Sequence, residues 1–375
     1  MNKIIKFSFI IILSSFIIIT LLSCELFNKN DKKVEGCTDP EAYNYNVDAD
    51  DDDDSCIYNC PKRSHALVLT ANSGQSWNKA CVFNNDGAQY SSNVVDISII
   101  DEYNIWMCTE NPATILYTAD QGLTWDVQYE DLSKTDFFNY IEMFDEFNGV
   151  AMGDGVTQPL ILNTTDGGTT WNEIQVTTPM DRASGDKWRR IDFIDRNIGY
   201  FFNNGILQKT NDGGKNWIDT NFPYDVYVLK FYDENIGCAA KGSDIYITND
   251  GGTNWQKVTL PENPGWPVDF EFAKENPNKI WFLGEESIWF SSDMGTSWTK
   301  QIQFQWPGNN IQDLVITNNY GWAVGYNRDN TCYKASDPEN GNWEPFNVNP
   351  QNNFKTCFTI DGTEDGIVVI PGEIQ

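Results

Sequence analysis

The chain is 375 residues long and carries 54 acidic against 25 basic residues, a formal net charge of −29. That balance disfavours nucleic acid and anionic lipid surfaces as partners. Ser–His–Asp or Cys–His chemistry needs a histidine, and the single one, His65, opens the first strand and has no partner motif.

In chain order, Lys3 and Lys6 precede an apolar run over residues 7–22, which ends in Leu21, Leu22, Ser23 and Cys24. A basic start followed by a short apolar core is the pattern of an export signal. Its end at a cysteine resembles the bacterial lipoprotein lipobox. The resemblance implies a signal over residues 1–23, lipidation at Cys24, and a protein exported and anchored by lipid to the outer membrane, on its periplasmic or cell-surface side. A membrane-spanning helix needs about 20 uninterrupted apolar residues, and Ser8, Ser14, Ser15 and Thr20 break this run. Residues 24–35 are polar and read as a flexible tether.

Residues 36–56, GCTDPEAYNYNVDADDDDDSC, hold eight acids and no base between flanking cysteines. They resemble a cysteine-bounded module common in secreted proteins of Bacteroidota, and the module is taken here as residues 36–60. The resemblance implies a Cys37–Cys56 disulfide. The alternating acids are also similar to calcium-binding thrombospondin type 3 repeats, and such oxygens are the ligands calcium prefers. The ligands implied are Asp39, Asn46, Asp48, Asp50 and Asp52. The other reading is a solvated acidic spacer. No other cofactor is expected.

One pattern repeats through the rest of the chain: TANSGQSW (70–77), TADQGLTW (118–125), TTDGGTTW (164–171), TNDGGKNW (210–217), TNDGGTNW (248–255), SSDMGTSW (291–298) and the altered SDPENGNW (336–343). Successive tryptophans lie 38 to 48 residues apart, a spacing that marks an array of supersecondary units. Around each copy are short alternating runs ending in turn residues, four per unit, which signals strands and a β-propeller. The pattern resembles the Asp-box (BNR) repeat, S/T-x-D-x-G-x-x-W, of sialidase-like and sortilin-like propellers. It implies a structural turn built on Asp120, Asp166, Asp212, Asp250 and Asp293. The tryptophans, Trp77, Trp125, Trp171, Trp217, Trp255 and Trp298, are then anchors on the sheet, and the first copy has Asn72 for the acid. Runs at 148–152, 197–201, 235–239 and 319–323 are further similar to photosystem II assembly-factor-like propellers, which implies a non-enzymatic role.

One strand precedes the first box and two follow the last, so the ends should share a blade. The expected fold is all-β: a seven-bladed propeller of four-stranded blades over residues 61–375, closed by a composite blade. First strands should line its axis, and they carry Asp96, Glu142, Asp192, Asp269 and Asp313, with Lys230 breaking the series. The loops feeding them carry Phe137, Phe138, Tyr140, Trp188, Tyr224, Trp266 and Trp306. Aromatics beside acids suit a peptide or a sugar, so this face is the expected binding site. Sialidases need an arginine triad, a nucleophilic tyrosine and an R-I-P motif. The chain has few arginines and no R-I-P. The expectation is a non-catalytic lipoprotein that binds a protein or glycan. The alternative is an Asp-box glycosidase using paired carboxylates.

Overall fold

The computed structural model describes residues 35–36, 38, 49, 51–52, 65–82, 93–182, 190–220, 222–304, 311–325, 332–346, 354–356, 359–363 and 366–374. The chain divides into compact units over residues 1–58 and 59–375. In the first unit, Glu35–Gly36 pairs in parallel with Asp51–Asp52, and Thr38 Oγ1 donates to Asp52 Oδ2 at 2.9 Å. Cys24, Cys37, Cys56, Asp39, Asn46, Asp48 and Asp50 lie outside the described residues.

The second unit has seven sheets and, among the described residues, no α-helix. Blade 1 is the antiparallel sheet Asn93–Ile99, Ile105–Glu110, Thr114–Thr118 and Asp126–Glu130. Blades 2 to 6 repeat that order over residues 138–174, 191–219, 228–259, 267–303 and 311–346. Blade 7 joins the chain ends. His65–Thr70 pairs along its whole length with Val368–Ile374, so that Val68 faces Ile370. Asn78–Cys81 is the outer strand, and Phe354–Thr356 and Asp361–Gly362 together supply the inner edge. The expected composite blade is thus present.

The core lies between blades. Trp106 and Ile115 of blade 1 pack with Phe138, Ile141, Leu162 and Trp171 of blade 2, and Val228 and Ile245 of blade 4 pack with Phe270, Phe282 and Trp289 of blade 5. The second strands, such as Gly149–Gly153, Gly199–Asn203 and Gly321–Gly325, are therefore buried on both faces and read as continuous apolar runs, whereas the outer strands stay exposed or half-buried.

The repeated box is the turn between third and outer strands. In blade 3, Thr210 Oγ1 accepts from Gly214 N at 2.9 Å, and Asp212 Oδ1 accepts from Asn216 N at 2.8 Å. Trp217 Nε1 then donates to Gly214 O at 2.8 Å. The acid satisfies backbone donors that the turn leaves unpaired. Gly214 is required twice over: its φ is +91°, and a Cβ there would stand 2.7 Å from Ile161 Cδ1 of blade 2. Asn72 keeps the geometry without a charge. Its Oδ1 accepts from Ser76 N at 2.9 Å, and its Nδ2 donates to Ser76 Oγ at 2.7 Å. The anchors are not equally buried. Trp125, Trp171 and Trp217 are buried, whereas Trp77, Trp255 and Trp298 keep some exposure.

Candidate functional site

The inner strands surround a cavity of about 120 Å³ on the propeller axis. It gathers the expected Asp96, Glu142, Asp192, Asp269 and Asp313 together with Lys230. Two carboxylates not expected from the sequence, Glu271 and Asp361, join them. Glu271 follows Asp269 by two residues and so shares its side of the strand, a signal the spacing does carry. Asp361 sits on a two-residue strand of the composite blade, at the end of one of the two strands expected after the last box, where no repeated acid position marks it.

Four of these carboxylates hold the ring together. An inner strand is a sheet edge, and its outward N–H groups need partners. Asp96 Oδ2 accepts from Ile141 N of blade 2 at 2.9 Å, and Asp192 Oδ2 accepts from Phe231 N of blade 4 at 2.5 Å. Asp313 Oδ2 accepts from Ile360 N of blade 7 at 2.9 Å, and Asp361 Oδ2 accepts from Ile99 N of blade 1 at 2.7 Å. Three of the acids read from the sequence as ligand groups, Asp96, Asp192 and Asp313, are therefore also clips from one blade to the next.

Protein encloses these groups, and water meets them only inside the channel. Burial pushes Asp96 up to about 7, against the bond from Ile141 and with repulsion from Asp313 and Glu142. Burial pushes Glu142 up to about 8 even though Lys230 opposes it, and pushes Asp361 up to about 7. Asp192, Glu271 and Asp313 are raised in the same way. Asp269 rises well above the usual range through burial, repulsion from Asp313 and Glu271, and a hydrogen bond to Asp313. Lys230 remains a cation. Burial acts to lower its pKa, but Asp192, 3.7 Å away, with Glu271 and Glu142 outweighs that. The directly bonded pair Asp269–Asp313 is closer than the roughly 5 Å that a retaining glycosidase needs between its carboxyl groups.

The loops that enter the inner strands lie at the end of the propeller opposite the boxes. Trp266 is 53% exposed and stacks on Tyr227, with ring centroids 4.2 Å apart. Tyr224, 40% exposed, stacks on Tyr246 at 4.4 Å. Arg190 lies 5.3 Å and Lys241 5.5 Å from the Tyr227 ring centre, within cation–π range. Tyr227, Tyr246 and Arg190 were not singled out in the sequence. Trp188 and Trp306 lie outside the described residues. Phe138 and Tyr140 correct the expectation: both are buried between blades, in the clusters around Trp171 and Phe193, because they belong to the inner strand itself and not to a loop.

Among the described residues no group of three or more His, Cys, Asp or Glu side chains is placed to hold a metal ion. Cys81 is disulfide-bonded to a partner outside the described residues, and Cys108 and Cys238 are buried thiols.

Residues 75–217 match the family described as Photosynthesis system II assembly factor YCF48, of BNR type, and residues 205–305 match Sortilin-Vps10 (Sortilin, neurotensin receptor 3). The chain is a seven-bladed propeller of BNR-type Asp-box repeats. Among solved structures, the propeller resembles YCF48 bound to D1 peptide, with a TM-score of 0.56 and 21% identity over 76% of this chain and 94% of the other. It is also similar to YCF48 from Cyanidioschyzon merolae, with a TM-score of 0.54 and 15% identity over 74% and 95%. A GH74 xyloglucanase from Xanthomonas campestris has a TM-score of 0.54 and 10% identity over 68% of this chain and 45% of its own. At these identities the likeness is one of fold. A comparison with curated proteins finds no match.

Proposed function

We propose that this Asp-box propeller is an exported, lipid-anchored, non-catalytic binding protein that takes a polypeptide or glycan partner on the face opposite its boxes. The observation that carries this reading is the exposed Trp266 stacked on Tyr227, beside the Tyr224–Tyr246 pair. A large aromatic left in water within such a cluster marks an interaction site. The structural likeness to a propeller solved with a peptide supports a protein partner. Four of the channel acids are occupied in clipping blades, and burial favours the protonated form of the carboxyls that share the channel with Lys230. Calcium remains a proposal for the acidic module only.

Trp266→Ala should weaken binding to a hit from a peptide and glycan array by more than 1 kcal/mol, the scale of an interface hot spot, with circular dichroism unchanged. Unaltered affinity in a folded variant would move the site elsewhere. The anchor is tested separately: Cys24→Ser should transfer the protein from the membrane fraction to the soluble one, and an unchanged membrane fraction would refute lipidation at Cys24.

A further inference from the structure

A groove of about 580 Å³ opens on the box-bearing end between blades 1 and 2. Tyr117, tilted against Trp106 with ring centroids 4.7 Å apart, forms part of its wall. Gln128 is held at its base, accepting from Trp106 Nε1 at 3.1 Å and donating to Gly167 O at 2.9 Å. Two large apolar side chains are left open to solvent there: Phe147, 53% exposed, and Val127, 45% exposed.

The repeats supply an internal control for both residues. Phe147 O accepts from the box residue Gly167 N at 3.0 Å. In blades 3, 4 and 5 the same bond is made to the carbonyls of Asn197, Asn235 and Asn278, at 2.8, 2.8 and 2.9 Å. The turn thus needs only a backbone carbonyl at this position, and an exposed asparagine serves as well as phenylalanine. Val127 stands two residues after its box tryptophan, where the next four blades carry Glu173, Asp219, Lys257 and Lys300. In the neighbouring blade-1 turn, Tyr103 is likewise 49% exposed. Apolar residues thus replace polar ones at fold-neutral positions, and two of the replacements, Phe147 and Val127, meet in one groove. The groove also carries Asp126, Glu146 and Asp166, and no lysine or arginine lines it among the described residues.

We infer that this groove docks a partner polypeptide segment that presents an apolar side chain next to a lysine or arginine. The apolar side chain would cover Phe147 and Val127, removing from water the surface the repeats elsewhere keep polar. The cation would meet the acidic rim, which supplies orientation and selects against acidic segments. This site is at the opposite end from Trp266 and does not depend on that face.

The test uses the full chain in detergent against an array of 12-residue peptides pairing leucine or phenylalanine with lysine or arginine. Each is matched by a copy with glutamate in place of the base. Peptides of the first set should bind at least tenfold more tightly than their glutamate copies. Phe147→Asn with Val127→Glu, residues that sister blades carry at these positions, should lose at least tenfold in affinity with unchanged melting. Trp266→Ala should retain it. Equal binding of both peptide sets would overturn the inference, as would binding that survives the double substitution or no binding to either set. If instead the chain self-associates and the double variant does not, the groove is an interface between copies and the partner assigned here is wrong.

Discussion

Trp217→Ala is expected to cost about 3–5 kcal/mol of stability, the usual range for removing a large buried aromatic. Trp217 is 4% exposed, with Phe193 and Phe201 edge-on at 6.0 and 6.1 Å. Its indole N–H also closes the box turn on Gly214 O. Alanine would remove the plug between blades 2 and 3 and leave the Gly214 carbonyl without that donor. Trp255→Ala, at a box whose ring is only partly buried, should cost clearly less. Thermal or denaturant unfolding of the two variants decides the point. Equal melting of parent and Trp217→Ala would show that the box tryptophan does not fasten the blade.

The second large effect is on pH. Glu142 has its pKa raised from 4.5 to about 8, and Asp96 and Asp361 from 3.8 to about 7. A carboxyl whose folded pKa is raised contributes fully below the unfolded value, and that stability is lost as pH climbs to the folded value. The channel should therefore weaken the fold progressively between about pH 4 and pH 8, with the melting temperature falling by on the order of 10 °C across that window. Lys230 is held above its ordinary value and stays charged throughout. The box acids Asp166, Asp212, Asp250 and Asp293 are shifted the other way, by hydrogen bonds at exposed sites. Their smaller contribution is lost as pH falls through the carboxylate range. Glu142 faces Lys230, Asp192 and Asp361 in the channel. Glu142→Gln should raise the melting temperature at pH 8 by about 2–4 °C and leave it nearly unchanged at pH 4. A melting temperature that climbs steadily from pH 5 to pH 8 would contradict the raised carboxyls.

The fold was legible because its signal is repeated: a box with Asp, Gly and Trp at fixed offsets locates five of the third-to-outer turns, two altered copies mark the others, and the tryptophan spacing counts the blades. The closure was legible from strands left over at each end. The site was less so. The first-strand acids Asp96, Asp192 and Asp313 were visible in sequence, but their second task, accepting Ile141, Phe231 and Ile360 N–H groups, depends on a neighbouring blade some 40 residues away. Aromatics at loop–strand junctions divide by a single residue of register: Phe138 opens its strand and is buried, while Trp266 falls just before its own and is exposed. Tyr227 and Arg190 could not be picked out, because the packing of Tyr227 on Trp266 and that of Arg190 on Tyr227 are contacts between loops of different blades.

The pairing of Val68 with Ile370 has a consequence for how the chain comes to be folded. A ribosome or export channel delivers His65–Thr70 early, yet the strand it must join arrives roughly 300 residues later, so closing that loop is among the slowest contacts to form. Until then the incomplete arc carries bare strand edges at both ends, ready to pair with other chains. Deleting the last ten residues should thus remove more than one strand. It would leave the first strand waiting for a partner that never comes, and the loss should appear as aggregation during synthesis rather than as a modest drop in melting temperature.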